Sequence, residues 1–137
     1  FWDILKLAEG PVVASHSNCR ALCDVRRNLT DEQLRAIRDT GGVIGVNVYH
    51  GFVHAEPRMQ TAAMLARHAA HIAETIGPEH VACGFGFCEY FGPGNEGCEG
   101  MESCAQTGNF FFELERLGFS AAERQGIASE NLLRVLE

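Results

Sequence analysis

The sequence predicts an α/β fold, a parallel sheet whose strands are joined by right-handed helical crossovers. Three short runs, Pro11–His16 (PVVASH), Val43–Tyr49 (VIGVNVY) and His80–Phe87 (HVACGFGF), are apolar on both faces and bounded by turn residues, as buried parallel strands are. Each is followed by a helical pattern, so the order reads β-α-β-α-β. The third observation is size: 137 residues at 46% hydrophobic and 21% charged supply one hydrophobic core. Such a series is either a small doubly wound sheet or three consecutive units of a barrel. An eight-stranded α/β barrel takes about 250 residues, so on the second reading this chain is a piece of one.

The opening FWDILKLAEG reads as the tail of a helix that precedes the first strand. After that strand comes NLTDEQLRAIRDTGG, where Thr30 caps a helix, Gln33 reaches back as capping-box partner, and Gly41-Gly42 end it. Leu34 and Ile37 mark its buried face. After the second strand, Arg58 to Ile76 carries Leu65, Ala69, Ile72 and Ile76 at helical spacing, and Gly77-Pro78 stops it. The third strand runs into Cys88–Gln106, the longest irregular stretch, rich in Gly and Glu; loops of that length usually serve a function or move. Asn109–Leu117, a second capping box at Ser120-Ala-Ala-Glu123 and a closing helix ending NLLRVLE complete the chain.

Composition narrows the function classes. Eleven Lys plus Arg against eighteen Asp plus Glu give a net charge of −7, and no basic run interleaves with aromatics, so nucleic acid is not an expected partner. No stretch approaches the ~18 apolar residues of a membrane span. The first ten residues lack the basic start and apolar centre of a signal peptide, so the expected location is cytoplasmic. The six cysteines (19, 23, 83, 88, 98 and 104) form no C-x-x-C pair and match no zinc-ribbon spacing. They read as small thiols in a reducing compartment; the alternative is that Cys88, Cys98 and Cys104, which share a loop with several carboxylates, bind a soft metal.

In parallel α/β folds, functional groups gather at the C-terminal ends of the strands, where the loops converge. The first strand ends in Ser15-His16-Ser17-Asn18, the second in Asn47-Val48-Tyr49-His50, the third in Gly86-Phe87-Cys88-Glu89. His16, Asn47, His50 and Glu89 would therefore ring one mouth. A neutral imidazole there suits zinc, with the neighbouring hydroxyls orienting its other nitrogen; a hydrogen-bonded structural histidine has the same signature. His54 follows on a loop, while His68 and His71 lie on a helix and suit solvated or packing roles. Arg20, Arg26 and Arg27 form a cationic cluster, either a solvated loop or a clamp for a carboxylate. Gly92-Pro-Gly-Asn-Glu-Gly97 spells G-x-G-x-x-G, but Pro93 removes a backbone donor, Glu96 and Glu99 repel a pyrophosphate, and no helix opens behind it.

Taken together, PVVASHSNCR, RRNLTDEQLRAI, GGVIGVN, HIAETIGPEHVACG and LERLGFSAAERQGIASENLLRVLE resemble, in order along the whole chain, the C-terminal half of the membrane (renal) dipeptidase family of zinc peptidases. The SHSN and RNLTDEQ blocks carry most of the specificity. The resemblance implies a (β/α)8 TIM-type barrel of which residues 1–137 are a single partial domain, the C-terminal part with three βα units. It implies two zinc ions bridged by a glutamate, and a metal-activated water that attacks the peptide bond of a dipeptide. The family's last zinc-ligand histidine falls on His16, and its arginine for the substrate carboxylate on Arg27, eleven residues later.

The same comparison shows two departures. The family's His-x-Asp pair, bridging Glu and first downstream zinc His all lie upstream of residue 1, so the chain alone is expected to hold zinc feebly and hydrolyse nothing. Where the family has Gly-x-Asp-Phe, with an Asp that contacts substrate, this chain has Gly84-Phe85-Gly86-Phe87, and Gly86 takes the Asp position. Expected partners are a dipeptide and either the N-terminal barrel half or a second copy, in a homo-oligomer. The alternative is a non-catalytic dipeptidase-like homologue or fragment that binds peptides or subunits.

Overall fold

Each strand is shorter than the apolar run that encodes it. A computed structural model describes residues 1–137, with β1 at Val13–Ala14, β2 at Val43–Val46 and β3 at Val81–Cys83. The three form one parallel sheet in the order β1-β2-β3, with Val13 opposite Val43 and Ile44 opposite Val81. A doubly wound sheet reverses its strand order at a switch point; no reversal occurs here, and sequential order is how strands run around a barrel.

The ladders stop early because the strand ends converge. A Cβ at Gly84 would lie 1.8 Å from the Ser15 carbonyl oxygen, so only glycine lets these backbones approach so closely. Beyond the ladder the segments still hydrogen-bond: Ser17 N–H donates to the Gly45 carbonyl at 2.8 Å and Val48 N–H to that of Phe85 at 3.0 Å.

The helices are α1 (Trp2–Leu7), α2 (Asp31–Asp39), α3 (His50–Val53), α4 (Ala62–Ile76), α5 (Thr107–Arg116), α6 (Ala121–Gln125) and α7 (Asn131–Leu136). Both capping boxes read from the sequence form. Thr30 Oγ1 accepts the Gln33 N–H at 3.3 Å while Gln33 Oε1 accepts that of Thr30 at 2.9 Å, and Ser120 and Glu123 repeat the exchange. The helix expected from Arg58 begins instead at Ala62, because Thr61 Oγ1 caps the Met64 N–H and Pro57–Met59 form a separate 3₁₀ turn.

Every residue of β2 is buried. Over it lie Leu34 and Ile37 of α2, Leu65, Ala69, Ile72 and Ile76 of α4, and Phe110 and Leu114 of α5, with α4 packed between α2 and α5. At the opposite end from the loops, α7 is tied to the turns before β2 and β3. Asn131 Nδ2 donates to the Pro78 and Val81 carbonyls at 2.8 and 2.7 Å, and Arg134 to those of Gly41 and Glu79. All six cysteines are free thiols. No helix is long and apolar enough to cross a membrane.

Candidate functional site

The strand ends are joined by side-chain amides. Asn18, fully buried, accepts the Asn47 N–H on Oδ1 at 2.9 Å and donates from Nδ2 to the Asn47 and Phe52 carbonyls at 3.0 and 3.3 Å. The next residue is fixed as well, since the Cys19 N–H donates to His68 Nδ1 at 3.0 Å. His68 Nε2 lies 2.8 Å from the Val53 carbonyl, which defines the tautomer with the proton on Nε2. Burial drives the His68 pKa down to about 4, so this imidazole is a neutral structural bridge, one of the packing roles the sequence allows for it.

His16 thus stands on a segment anchored two and three residues further on. Its Nδ1 lies 2.9 Å from Ser15 Oγ, so a neighbouring hydroxyl orients the ring as expected, with Nε2 the remaining nitrogen. Two of the three arginines divide by role. Arg20 Nη2 donates to the Arg26 and Asn28 carbonyls at 3.0 and 3.2 Å and so closes the loop on itself. Arg27 is exposed, lines a cleft with His16, and enters none of the chain's ion pairs. A guanidinium without an internal partner is free to bind an anion.

That cleft measures about 350 Å³ and opens at the strand ends; His16, Arg27, Asn47 and Gly86 all line it. Two residues expected at the mouth are not there. His50 opens α3 with its ring 4.5 Å from that of Tyr49 and lines a neighbouring hollow with Gln60 and Glu99. Glu89 opens a 3₁₀ turn, Glu89–Phe91, and does not line the cleft; its Oε2 is buried without a hydrogen-bond partner. In their place stand Tyr49, Cys88 and Glu96. Tyr49 is held by its N–H donating to Asn47 Oδ1 at 2.9 Å. Glu96 arrives because the long loop folds back over β2, the Cys98 N–H donating to the Val48 carbonyl at 2.8 Å beside a bridge between Tyr49 and Gly97. Such non-local pairing leaves no periodic trace in the sequence, where Glu96 counted only as an argument against a phosphate.

Gly86 does more than lack a carboxylate. Its φ is +65°, and a Cβ there would lie 2.7 Å from His16 Cδ2 and 3.0 Å from Asn47 Nδ2. The backbone therefore occupies space beside the imidazole that a side chain would contest.

No group of three or more His, Cys, Asp or Glu side chains is placed to hold a metal ion. The buried thiols are poor candidates: desolvation raises the pKa of Cys83 and of Cys98 to about 12 and pushes Cys19 higher still, whereas a metal binds the thiolate. What the cleft offers a metal is the single imidazole of His16, fewer than the three or four protein ligands a zinc site needs.

A family profile for membrane dipeptidases, peptidase family M19, matches residues 1–137. An uncharacterized protein in the pqqA 5′ region of Klebsiella pneumoniae is 48% identical over 90 residues, covering 64% of this chain and 33% of its own length. Dipeptidase ataJ of Aspergillus terreus is 32% identical over 136 residues, 98% of this chain and 32% of its own length. Among solved structures, a metallopeptidase of Rhodobacter sphaeroides, liganded with a phosphinate mimic of the dipeptide L-Ala-D-Ala, superposes with a TM-score of 0.84 at 28% identity. That match covers 98% of this chain and 38% of the other. The chain thus spans about a third of the length of the relatives it matches.

Proposed function

The chain belongs to the membrane dipeptidase family, peptidase family M19, and from that membership we propose that it is the C-terminal part of a zinc-dependent dipeptidase. Its three βα units belong to a (β/α)8 barrel whose remaining strands come from further sequence of the same protein or from a second copy. The observation that carries this reading is one cleft that brings the partner-free Arg27 guanidinium beside His16 at the strand ends.

In the complete site, His16 would supply one imidazole ligand through Nε2, and the chemistry a metal would supply there is polarisation of the scissile carbonyl and a lowered pKa of its water. Arg27 receives the C-terminal carboxylate of the dipeptide in two parallel hydrogen bonds and so registers the peptide bond against the strand ends. Asn18, Asn47 and His68 hold the segment that follows His16, and Asn28, next to Arg27, donates to the Cys23 and Phe52 carbonyls, which is the supporting role a reactive site needs.

The test is hydrolysis of a dipeptide panel by the intact gene product. Turnover abolished by a chelator and restored by zinc is the expected result; metal-loaded protein without turnover would sink the catalytic reading. Arg27→Ala should chiefly raise KM, by roughly tenfold to a hundredfold for the loss of a charged hydrogen-bonded pair. An unchanged KM refutes the carboxylate role.

A second reading, a non-catalytic homologue that binds peptides or subunits, is favoured by one observation. Gly86 stands where the resemblance places an acid, and a Cβ there would lie 2.7 Å from His16 Cδ2. Replacing it with Asp is therefore not a simple restoration, since the added side chain must displace the imidazole. Recovery of dipeptide hydrolysis in an otherwise inactive full-length protein by Gly86→Asp would mark an enzyme disabled at one point; continued inactivity fits a binding role.

A further inference from the structure

Arg27 and Glu96 are the only Asp, Glu, Lys or Arg side chains on the cleft. They are opposite in sign, and they do not pair: neither enters an ion pair within the chain. Both side chains are exposed, and opposite charges that share a concave space without closing on each other leave a gap that a ligand of complementary charge can bridge.

Glu96 is held for this. Its Oε2 accepts the Gly94 N–H at 2.7 Å, and the loop is pinned by Asn95 Nδ2 donating to the Gly92 carbonyl at 3.1 Å and by the Tyr49–Gly97 bridge. The turn engages one carboxylate oxygen, which leaves the other for a ligand. No other acid lines the cleft, because Gly86 has no side chain and Glu89 is not among its lining residues.

We propose that Glu96 is a specificity-determining residue that binds the free α-ammonium group of a zwitterionic dipeptide, across the cleft from the carboxylate held by Arg27. This rests on the dipeptidase reading and refines it: the preferred ligand carries an uncapped amino end, and N-acylated peptides are discriminated against. The long Gly- and Glu-rich loop then supplies the carboxylate that binds the amino end.

The probes are L-Leu-L-Ala and its N-acetylated form, tested on the intact protein and its Glu96→Gln variant. Glutamine keeps an acceptor for the Gly94 N–H, so the turn is preserved while the charge goes. We expect the variant to raise KM for the free dipeptide about tenfold or more, with kcat within about twofold, because an ion-assisted hydrogen bond made equally in ground and transition state is lost. The acetylated substrate should be unaffected, so the preference for a free amine collapses. A preference that survives the substitution overturns the assignment, as does an effect confined to substrates with basic side chains. If the wild-type protein turns over neither substrate, the dipeptidase reading fails separately. Calorimetric titration of the same two peptides then decides: affinity for the free peptide lost only in Glu96→Gln upholds the ammonium site, and equal or undetectable binding overturns it.

Discussion

His68 is a neutral imidazole with both nitrogens used inside the protein, on the Cys19 N–H and the Val53 carbonyl. Its pKa falls from 6.5 to about 4, chiefly through desolvation. Between those values the unfolded chain binds a proton that the native state does not. The stability His68 contributes is therefore fully present above its unfolded pKa and is lost as pH falls towards 4. The whole effect is about 3 kcal/mol. Urea unfolding of the intact protein across that range should show a declining acid limb that flattens in His68→Gln, and an identical limb in both proteins would refute the role. The same bridge holds the segment after His16, so acid should loosen the cleft from beneath.

Elements meet the site through backbone as much as through side chains. Gly84 admits the Ser15 carbonyl to a distance at which no Cβ survives, and the three strand ends converge there. At the other end α7 works through Asn131, whose amide satisfies two carbonyls in the turns before and within β3. Asn131→Ala leaves those buried acceptors short of donors and should cost about 1–3 kcal/mol. Because Asn131 lies at the end away from the cleft, KM for a dipeptide should be unchanged below the new midpoint; denaturant unfolding and steady-state kinetics on one preparation check both halves. A change in KM without a change in midpoint would contradict this division between a stabilising end and a binding end.

At the scale of the whole molecule, the three-stranded sheet has two open edges. β1 and β3 each pair on one side only, α1 buries none of its residues, and Leu7, Leu133 and Leu136 are exposed. On the inner face a hollow of about 350 Å³, bordered by Val13, Gly45, Gly84 and Leu132, has no facing strand to fill it. Unpaired edges and uncovered apolar surface drive association. Residues 1–137 expressed alone should dimerise, aggregate or unfold without cooperativity in size-exclusion and denaturant experiments. A monomer with one sharp transition would show that no further barrel strands are needed.

The sequence by itself determined what local chemistry encodes: three parallel strands from apolar runs, both capping boxes from Thr30–Gln33 and Ser120–Glu123, and the buried faces of α2 and α4 from helical spacing; burial of all three strands did not follow, since β2 and most of β3 are buried while Val13 of β1 is exposed. It also carried the family, because the SHSN and RNLTDEQ blocks resemble those of the family whose profile matches residues 1–137. Chain direction placed His16 and Asn47 at one mouth, since parallel strands present their C-terminal ends together. Only tertiary structure decided that Arg27 rather than Arg20 is free, that His50 and Glu89 lie outside the cleft lining, that Glu96 joins it, and that the Gly86 backbone crowds the His16 ring. Each of these depends on contacts between residues far apart in the chain, whose partners no periodicity records. A loop such as Cys88–Gln106 acquires its geometry from the β2 end it pairs with, not from its own composition.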